Sequence, residues 1–235
     1  VNNSDKTSES ALQPTGSLAW VAARVQDGEP AANICEALTQ NLDRKVTEIA
    51  ERSIPAEIGA HVQIVAVGGY GRREIYPHGD ADLVLVYRGD DDAAASAEED
   101  PSVRLDRAIP GAAEAIRTFV ADCRDSGLRI AARVRSVDEQ GAQVAADATV
   151  AAASIEARHL LGPPILPDPA RFSLDALLAG FDGGGPGFAT LVRLGLQKRH
   201  EEFGRSAFML EPQLKAGRGG LRDGHAVRWA QVALF

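Results

Sequence analysis

The sequence is short of the features that mark secreted, membrane-spanning or nucleic-acid-coating chains. Cys35 and Cys123 are its only cysteines in 235 residues. Two such thiols make no disulfide framework and lack metal-ligand spacing, so they read as thiols of a cytosolic protein. No run of eighteen apolar residues occurs, and the first residues are polar rather than a basic-then-apolar leader. The expectation is a soluble, cytoplasmic chain with no membrane partner. Positive charge is in deficit, with 25 Lys and Arg against 33 Asp and Glu and a net charge of −8. Non-specific nucleic-acid binding wants a basic face, so no nucleic-acid partner is expected. A third glycine is also missing. Gly69-x-Gly71 opens like a dinucleotide fingerprint, but Glu74 stands where the next Gly belongs. A Glu there would face a pyrophosphate with like charge.

What is present centres on Val62 to Tyr87. An apolar run rich in Val and Ile reads as a buried strand and ends in Gly68-Gly69. A short polar turn follows with Arg72, Arg73 and Glu74, broken by Pro77 and Gly79. The next apolar strand, Leu83 to Tyr87, has Asp80 and Asp82 at its entrance. In an extended chain residues i and i+2 share a side, so the two carboxylates project together and Ala81 faces away. Adjacent carboxylates repel unless a cation lies between them. Mg²⁺ suits such a pair, because it takes oxygen ligands and keeps positions for phosphate and water. Backbone N–H groups at Gly68 and Gly69 can cradle an anion. The combination points to a bound metal–nucleoside triphosphate.

The rest of the chain reads as follows. Residues 1–16 are polar and expected to be a disordered tail. Residues 17–53 read as helix with a break at Asp27-Gly28-Glu29-Pro30, and Ile34, Leu38, Leu42, Val46 and Ile49 form one apolar face. Arg88 to Pro101 is acidic and reads as solvated loop. Leu105 to Gly127 reads as helix, bent by Pro110. Leu128 to Val137 alternates and reads as a half-buried strand with Arg129, Arg133 and Arg135 on its polar side. Ala142 to Leu161 reads as a helix stopped by Gly162-Pro163-Pro164. Gly180 to Gly187 reads as a flexible linker, followed by a helix over about 188–204 whose Lys198 to Glu202 cluster reads as a wet face. The expected domains are a helical segment over 17–58, a catalytic domain over 59–162, and the start of a helical domain over 163–235, which is expected to be truncated.

Gly68-Gly69-Tyr70-Gly71-Arg72-Arg73-Glu74-Ile75 with Asp80-Ala81-Asp82-Leu83 resembles the catalytic stretch of the bacterial protein-PII uridylyltransferases. In that family the pattern is Gly-Gly-Tyr-Gly-Arg-Gly-Glu-Leu, a Pro-containing link, then Ser-Asp-x-Asp-Leu. Arg73 stands here for the third Gly and Gly79 for the Ser. A second match runs from Glu211 to Asp223, against Glu-Pro-x-Leu-Lys-x-Gly-x-Gly-Gly-Leu-Arg-Asp.

The resemblance implies an α/β (α+β) nucleotidyltransferase fold of the polymerase-beta type, a mixed sheet flanked by helical segments. It implies transfer of UMP or AMP from UTP or ATP to a Tyr of the signalling protein PII, with Mg²⁺ or Mn²⁺ on Asp80 and Asp82. Gly68, Gly69 and Arg72 would bind the triphosphate. Arg133 and Arg135 either reach the nucleotide or line a solvent-facing strand. Lys215, Arg218 and Arg222, set around glycines, either meet the triphosphate or belong to a tight turn whose Arg222 and Asp223 pair structurally. The wider superfamily places a third carboxylate on a later strand, where Ala131 stands here; Glu74 and Asp147 are the candidate substitutes. In the family, nucleotide removal belongs to a later His-Asp metal domain. No His of this chain is followed by Asp, so transfer without removal is expected.

Overall fold

The computed structural model describes residues 17–89, 99–165, 180–203, 206, 211 and 213–234. The expected N-terminal tail and most of the acidic loop lie outside these residues. The chain folds into two compact units, one of residues 1–137 with 157–166, the other of 138–156 with 167–235.

The first unit opens with α1 (Leu18–Gln26), whose first turn is capped by the Ser17 hydroxyl accepting from Trp20 N–H at 3.1 Å. The expected break at residues 27–30 is there, and α2 (Ala31–Ser53) follows with Ile34, Leu38, Val46 and Ile49 buried. A single turn, α3 (Ala56–Gly59), leads into β1 (Val62–Ala66), then α4 (Gly68–Gly71) and β2 (Ala81–Tyr87). The segment expected as one bent helix is two, α5 (Pro101–Ala108) and α6 (Ala112–Asp125). Pro110 ends the first, and Gly111 at φ +81° turns the chain into the second. Asp100, read as part of the solvated acidic loop, caps α5 by accepting from Ser102 N–H at 2.8 Å. β3 (Ile130–Ser136) completes the crossover from β2.

The sheet order is β3-β2-β1-β4. β1 pairs antiparallel with β2 and β4, whereas β2 pairs parallel with β3. A parallel neighbour needs a long crossover, which α5 and α6 supply. One face carries Val62, Ile64 and Ala66 of β1 and Ala81, Leu83, Leu85 and Tyr87 of β2, in one core with α2 and with Ile116, Phe119 and Cys123 of α6. Burial pushes the Cys123 thiol up to about 11, helped by neighbouring Asp122. On the opposite face Gln63, Val65, Val84 and Val86 are buried as well, so most of β1 and β2 is covered on both sides.

The helix expected over 142–161 is replaced by three elements. α7 (Val137–Ala146) ends before Asp147, whose carboxylate caps α8 (Ala148–Ser154) by accepting from Thr149 N–H at 2.7 Å. Arg158–Leu161 is strand β4, because it extends the sheet along the open edge of β1.

The second unit contains α7, α8, α9 (Gly184–Phe203) and α10 (Leu221–Leu234). Its core holds Val144, Ala151, Ala152, Ile155, Phe181, Phe188 and Ala233. The glycine-rich stretch expected as linker is in part the first turn of α9. Phe188 is fully buried and packs on Phe181 with ring centroids 5.4 Å apart, which fixes the helix start.

Candidate functional site

The end of β1 and the start of β2 form the frame of the site. Val67 N–H donates to the Asp82 carbonyl at 3.0 Å, which closes the strand pair just where α4 begins. Gly68 sits at φ +58°, a region that L side chains rarely adopt, and a Cβ there would lie 3.5 Å from Asp82 Oδ2. Space for a methyl exists; the backbone conformation is what asks for glycine. Asp82 therefore presents its carboxylate against the Gly68 backbone. Gly68 and Gly69 open α4, where N–H groups have no acceptor within the helix.

Tyr70 locks that turn from behind. It is fully buried, and burial together with Asp43 raises its phenol pKa far above the ordinary value. Arg158 on β4 donates to the Tyr70 carbonyl at 3.3 Å and holds Asp43 of α2 with two bonds of 2.8 and 3.0 Å. The guanidinium also lies 5.4 Å from the Tyr70 ring centroid. The sequence assigns no role to Arg158 or Asp43, because the 142–161 pattern reads as helix and hides the edge strand that brings Arg158 to α4.

The side chain of Arg72 is 8% exposed and donates from Nε to Glu74 Oε2 at 2.9 Å, beside Gly69. Arg73 adopts φ +62° and pairs with Glu36 of α2. This backbone explains why the related pattern carries a glycine at that position. A non-glycine residue there costs about 1–2 kcal/mol.

Asp80 and Asp82 are both exposed, while Ala81 between them is buried. Asp80 faces Arg129, whose Nε is 3.3 Å from Asp80 Oδ1. The register of β2 and β3 sets Ala131 beside Asp82, Arg133 beside Val84 and Arg135 beside Val86. Arg133 is thus one step from Asp82 along the sheet and exposed; Arg135 is one step further and half-buried. β3 contains no acid, and Ala131 occupies the place beside Asp82. Of the candidate substitutes, Glu74 is engaged by Arg72 and Asp147 caps α8 in the other unit. Among the described residues no group of three His, Cys, Asp or Glu side chains is arranged to hold a metal. Two exposed carboxylates on either side of a buried alanine still suit a hard cation that keeps its water and takes phosphate oxygens.

The other expected cations, Lys215 and Arg218, lie in the second unit and are exposed. Their loop is a tight turn. Gly217 N–H donates to Gln213 O, Leu221 N–H to Leu214 O and Arg222 N–H to Lys215 O, at 2.9 to 3.0 Å. A Cβ at Gly220 would meet Leu214 O at 2.7 Å, so glycine is required there by close approach. Asp223 closes the turn. It accepts from Gly219 N–H at 2.8 Å, from Arg199 at 2.7 Å, and bonds His200 Nε2 at 2.9 Å. Partial burial works to raise its pKa, but these three partners outweigh it and hold the carboxyl below the ordinary range. The Arg199-His200 pair is therefore not a wet face. Neighbouring Arg222 is not among these partners.

Two family profiles match the chain. Residues 17–106, which carry Gly68-Gly69 and Asp80-x-Asp82, match the family described as "Putative nucleotidyltransferase DUF294". Residues 193–235 match "GlnD PII-uridylyltransferase". Curated relatives agree. A bifunctional uridylyltransferase/uridylyl-removing enzyme of Xanthomonas campestris pv. campestris is 34% identical over 90% of this chain and 22% of its own length. The enzyme of the same name from Pseudomonas entomophila is 36% identical over 72% of this chain and 16% of its own length. That from Cupriavidus metallidurans is 33% identical over 75% and 18%. The chain belongs with the nucleotidyltransferase part of the bacterial uridylyltransferase/uridylyl-removing enzymes. It spans about a fifth of the length of these relatives. The nucleotidyltransferase match over residues 17–106 takes in β1, α4 and β2 of the first unit. No helix of the described residues is long and apolar enough to cross a membrane.

Proposed function

We propose that the chain transfers a nucleotidyl group, UMP or AMP, from a nucleoside triphosphate to a tyrosine of a PII-type signalling protein in the cytoplasm, releasing pyrophosphate. The observation that carries this reading is the Asp82 carboxylate lying against Gly68, with Asp80 one residue beyond buried Ala81. A metal-binding edge and a backbone anion cradle are thereby joined in one strand–turn–strand unit. Asp80 and Asp82 would hold Mg²⁺ or Mn²⁺, which supplies charge compensation at the transferred and leaving phosphates. Gly68 and Gly69 would offer backbone N–H groups to the triphosphate. Arg72, fixed by Glu74 beside Gly69, adds a positive charge at the same turn. Arg133 is the strand arginine nearer Asp82 and the better placed for a phosphate, and Arg135 stands further along. For Lys215 and Arg218 a nucleotide role rests on the resemblance alone.

A phenol with a pKa of about 10 is a poor nucleophile near neutrality, so the acceptor must lose its proton as it attacks. The test is purified PII with Mg²⁺ and each labelled nucleotide in turn. Label on PII, with equimolar pyrophosphate released, is the expected result. Label on another acceptor, or none with any triphosphate, would overturn the proposal.

A further inference from the structure

Arg129 touches the Asp80 segment in three ways. Its Nε lies 3.3 Å from Asp80 Oδ1, its Nη1 donates to His78 O at 3.2 Å, and its own carbonyl accepts from Ala81 N–H at 2.8 Å. His78 is held at φ +62°, an uncommon conformation for a non-glycine residue. One residue immediately before β3 thus holds the backbone before and after Asp80 as well as its carboxylate. The ion pair itself is exposed, at 64% for Arg129 and 63% for Asp80. Exposed pairs of this kind are weak and easily opened.

We propose that Arg129 is a positioning residue and counter-ion that opposes a bare divalent cation at Asp80 and favours one arriving with a triphosphate. This rests on the reading of Asp80 and Asp82 as metal carboxylates. Arg129 confers selectivity by charge. A free divalent cation near Asp80 meets the guanidinium as a like charge. A metal–triphosphate carries net negative charge and is attracted by the same group. With two protein carboxylates and a competing cation, free metal binds weakly. Nucleotide then strengthens metal binding, and the coupling is reciprocal.

The test measures Mn²⁺ binding to the intact chain, by calorimetry or by the spin-resonance signal of free Mn²⁺, with and without a non-hydrolysable triphosphate. Arg129→Gln should bind bare Mn²⁺ about 3- to 10-fold more tightly than the parent. Its Mn²⁺–triphosphate affinity should fall or stay level, so the metal–nucleotide coupling shrinks. Arg129→Lys, which keeps the charge, should bind bare Mn²⁺ like the parent; should Arg129→Gln fail to fold, Arg129→Met removes the same charge and carries the test. A tenfold change in Arg129→Lys would show that charge is not the cause and overturn the inference. If Asp80→Asn weakens Mn²⁺ binding but Arg129→Gln leaves it at the parent value, the inference falls and the metal site stands. Mn²⁺ binding indifferent to Asp80→Asn would overturn the metal site, and the inference with it.

Discussion

Two glycine-rich loops of this chain each carry two arginines together with aspartate, and the structure uses the carboxylates in opposite ways. In the loop from Gly68 to Asp82 the carboxylates of Asp80 and Asp82 stay exposed, Asp80 in an open pair with Arg129, and the buried ion pair lies behind them, between Arg158 and Asp43 beside the Tyr70 carbonyl. In the loop from Gln213 to Asp223 the carboxylate is the tie itself. Asp223 gathers Gly219, Arg199 and His200, and the cations Lys215 and Arg218 are left at the surface. A carboxylate already satisfied by three partners has little left for a metal. Saturation by three partners is the mark of a structural carboxylate; the site proposed at Asp80 and Asp82 rests instead on their exposure beside the Gly68 backbone.

The sharpest way to break that contrast is the same substitution in both loops. Asp80→Asn and Asp82→Asn should each lower nucleotidyl transfer by at least about 100-fold, a transition-state loss of roughly 3 kcal/mol. Their thermal midpoints should stay within a few degrees of the parent. A variant with near-parent turnover would remove that residue from the site.

Arg158→Met comes next, since it leaves Asp43 without its bidentate partner. A broken, largely buried pair costs about 3 kcal/mol, read as a lower denaturant midpoint. Nucleotide affinity should fall too, because the Tyr70 carbonyl is no longer held. Unchanged stability would show that α4 is positioned by packing alone.

Asp223→Asn should cost about 2 kcal/mol, the scale of lost hydrogen bonds to charged groups. Its pH dependence has a definite sign. The Asp223 carboxyl is held below its ordinary value, so its contribution is present above about pH 4 and lost as pH falls through the folded pKa. Unfolding curves of parent and variant should therefore converge as pH drops below about 4. A gap that persists in acid would mean the charge is not what ties the loop.

The smallest effect is expected at Gly68. A Cβ fits, at 3.5 Å from Asp82 Oδ2, so Gly68→Ala should cost only the left-handed backbone, about 1 kcal/mol. Gly220→Ala should cost more, because its Cβ would meet the Leu214 carbonyl at 2.7 Å. The reverse order, measured by thermal unfolding, would show that the two glycines have been assigned the wrong physical roles.

Much of the fold was legible where one period dominated. The apolar face of α2 and the alternation of β3 both appear as the spacing implied, since each element turns one side to the core of the first unit. Reading failed where a partner distant in sequence decided the local state. Residues 158–161 follow a helical pattern closely enough to be read as helix, yet the open edge of β1 offers a ladder of backbone partners. Residues 184–187 have the composition of a linker, yet Phe188 finds Phe181 and the helix begins early.

By itself the sequence determined the order strand, Gly-Gly, turn, Asp-x-Asp, because alternation along a strand and the glycine backbone are local physics. It determined which carboxylates share a side and that β3 brings no acid to them. Only the tertiary structure decided that Arg129 faces Asp80, that Arg158 fastens the turn carrying Gly68 and Gly69, and that Asp223 is a structural tie. The side-chain pairings among these join residues at least 23 positions apart, across elements whose contact depends on how the chain folds back. A side chain's charge is written in the sequence; whether that charge is spent on a neighbour or kept for a ligand depends on distance, and distance is set by the fold.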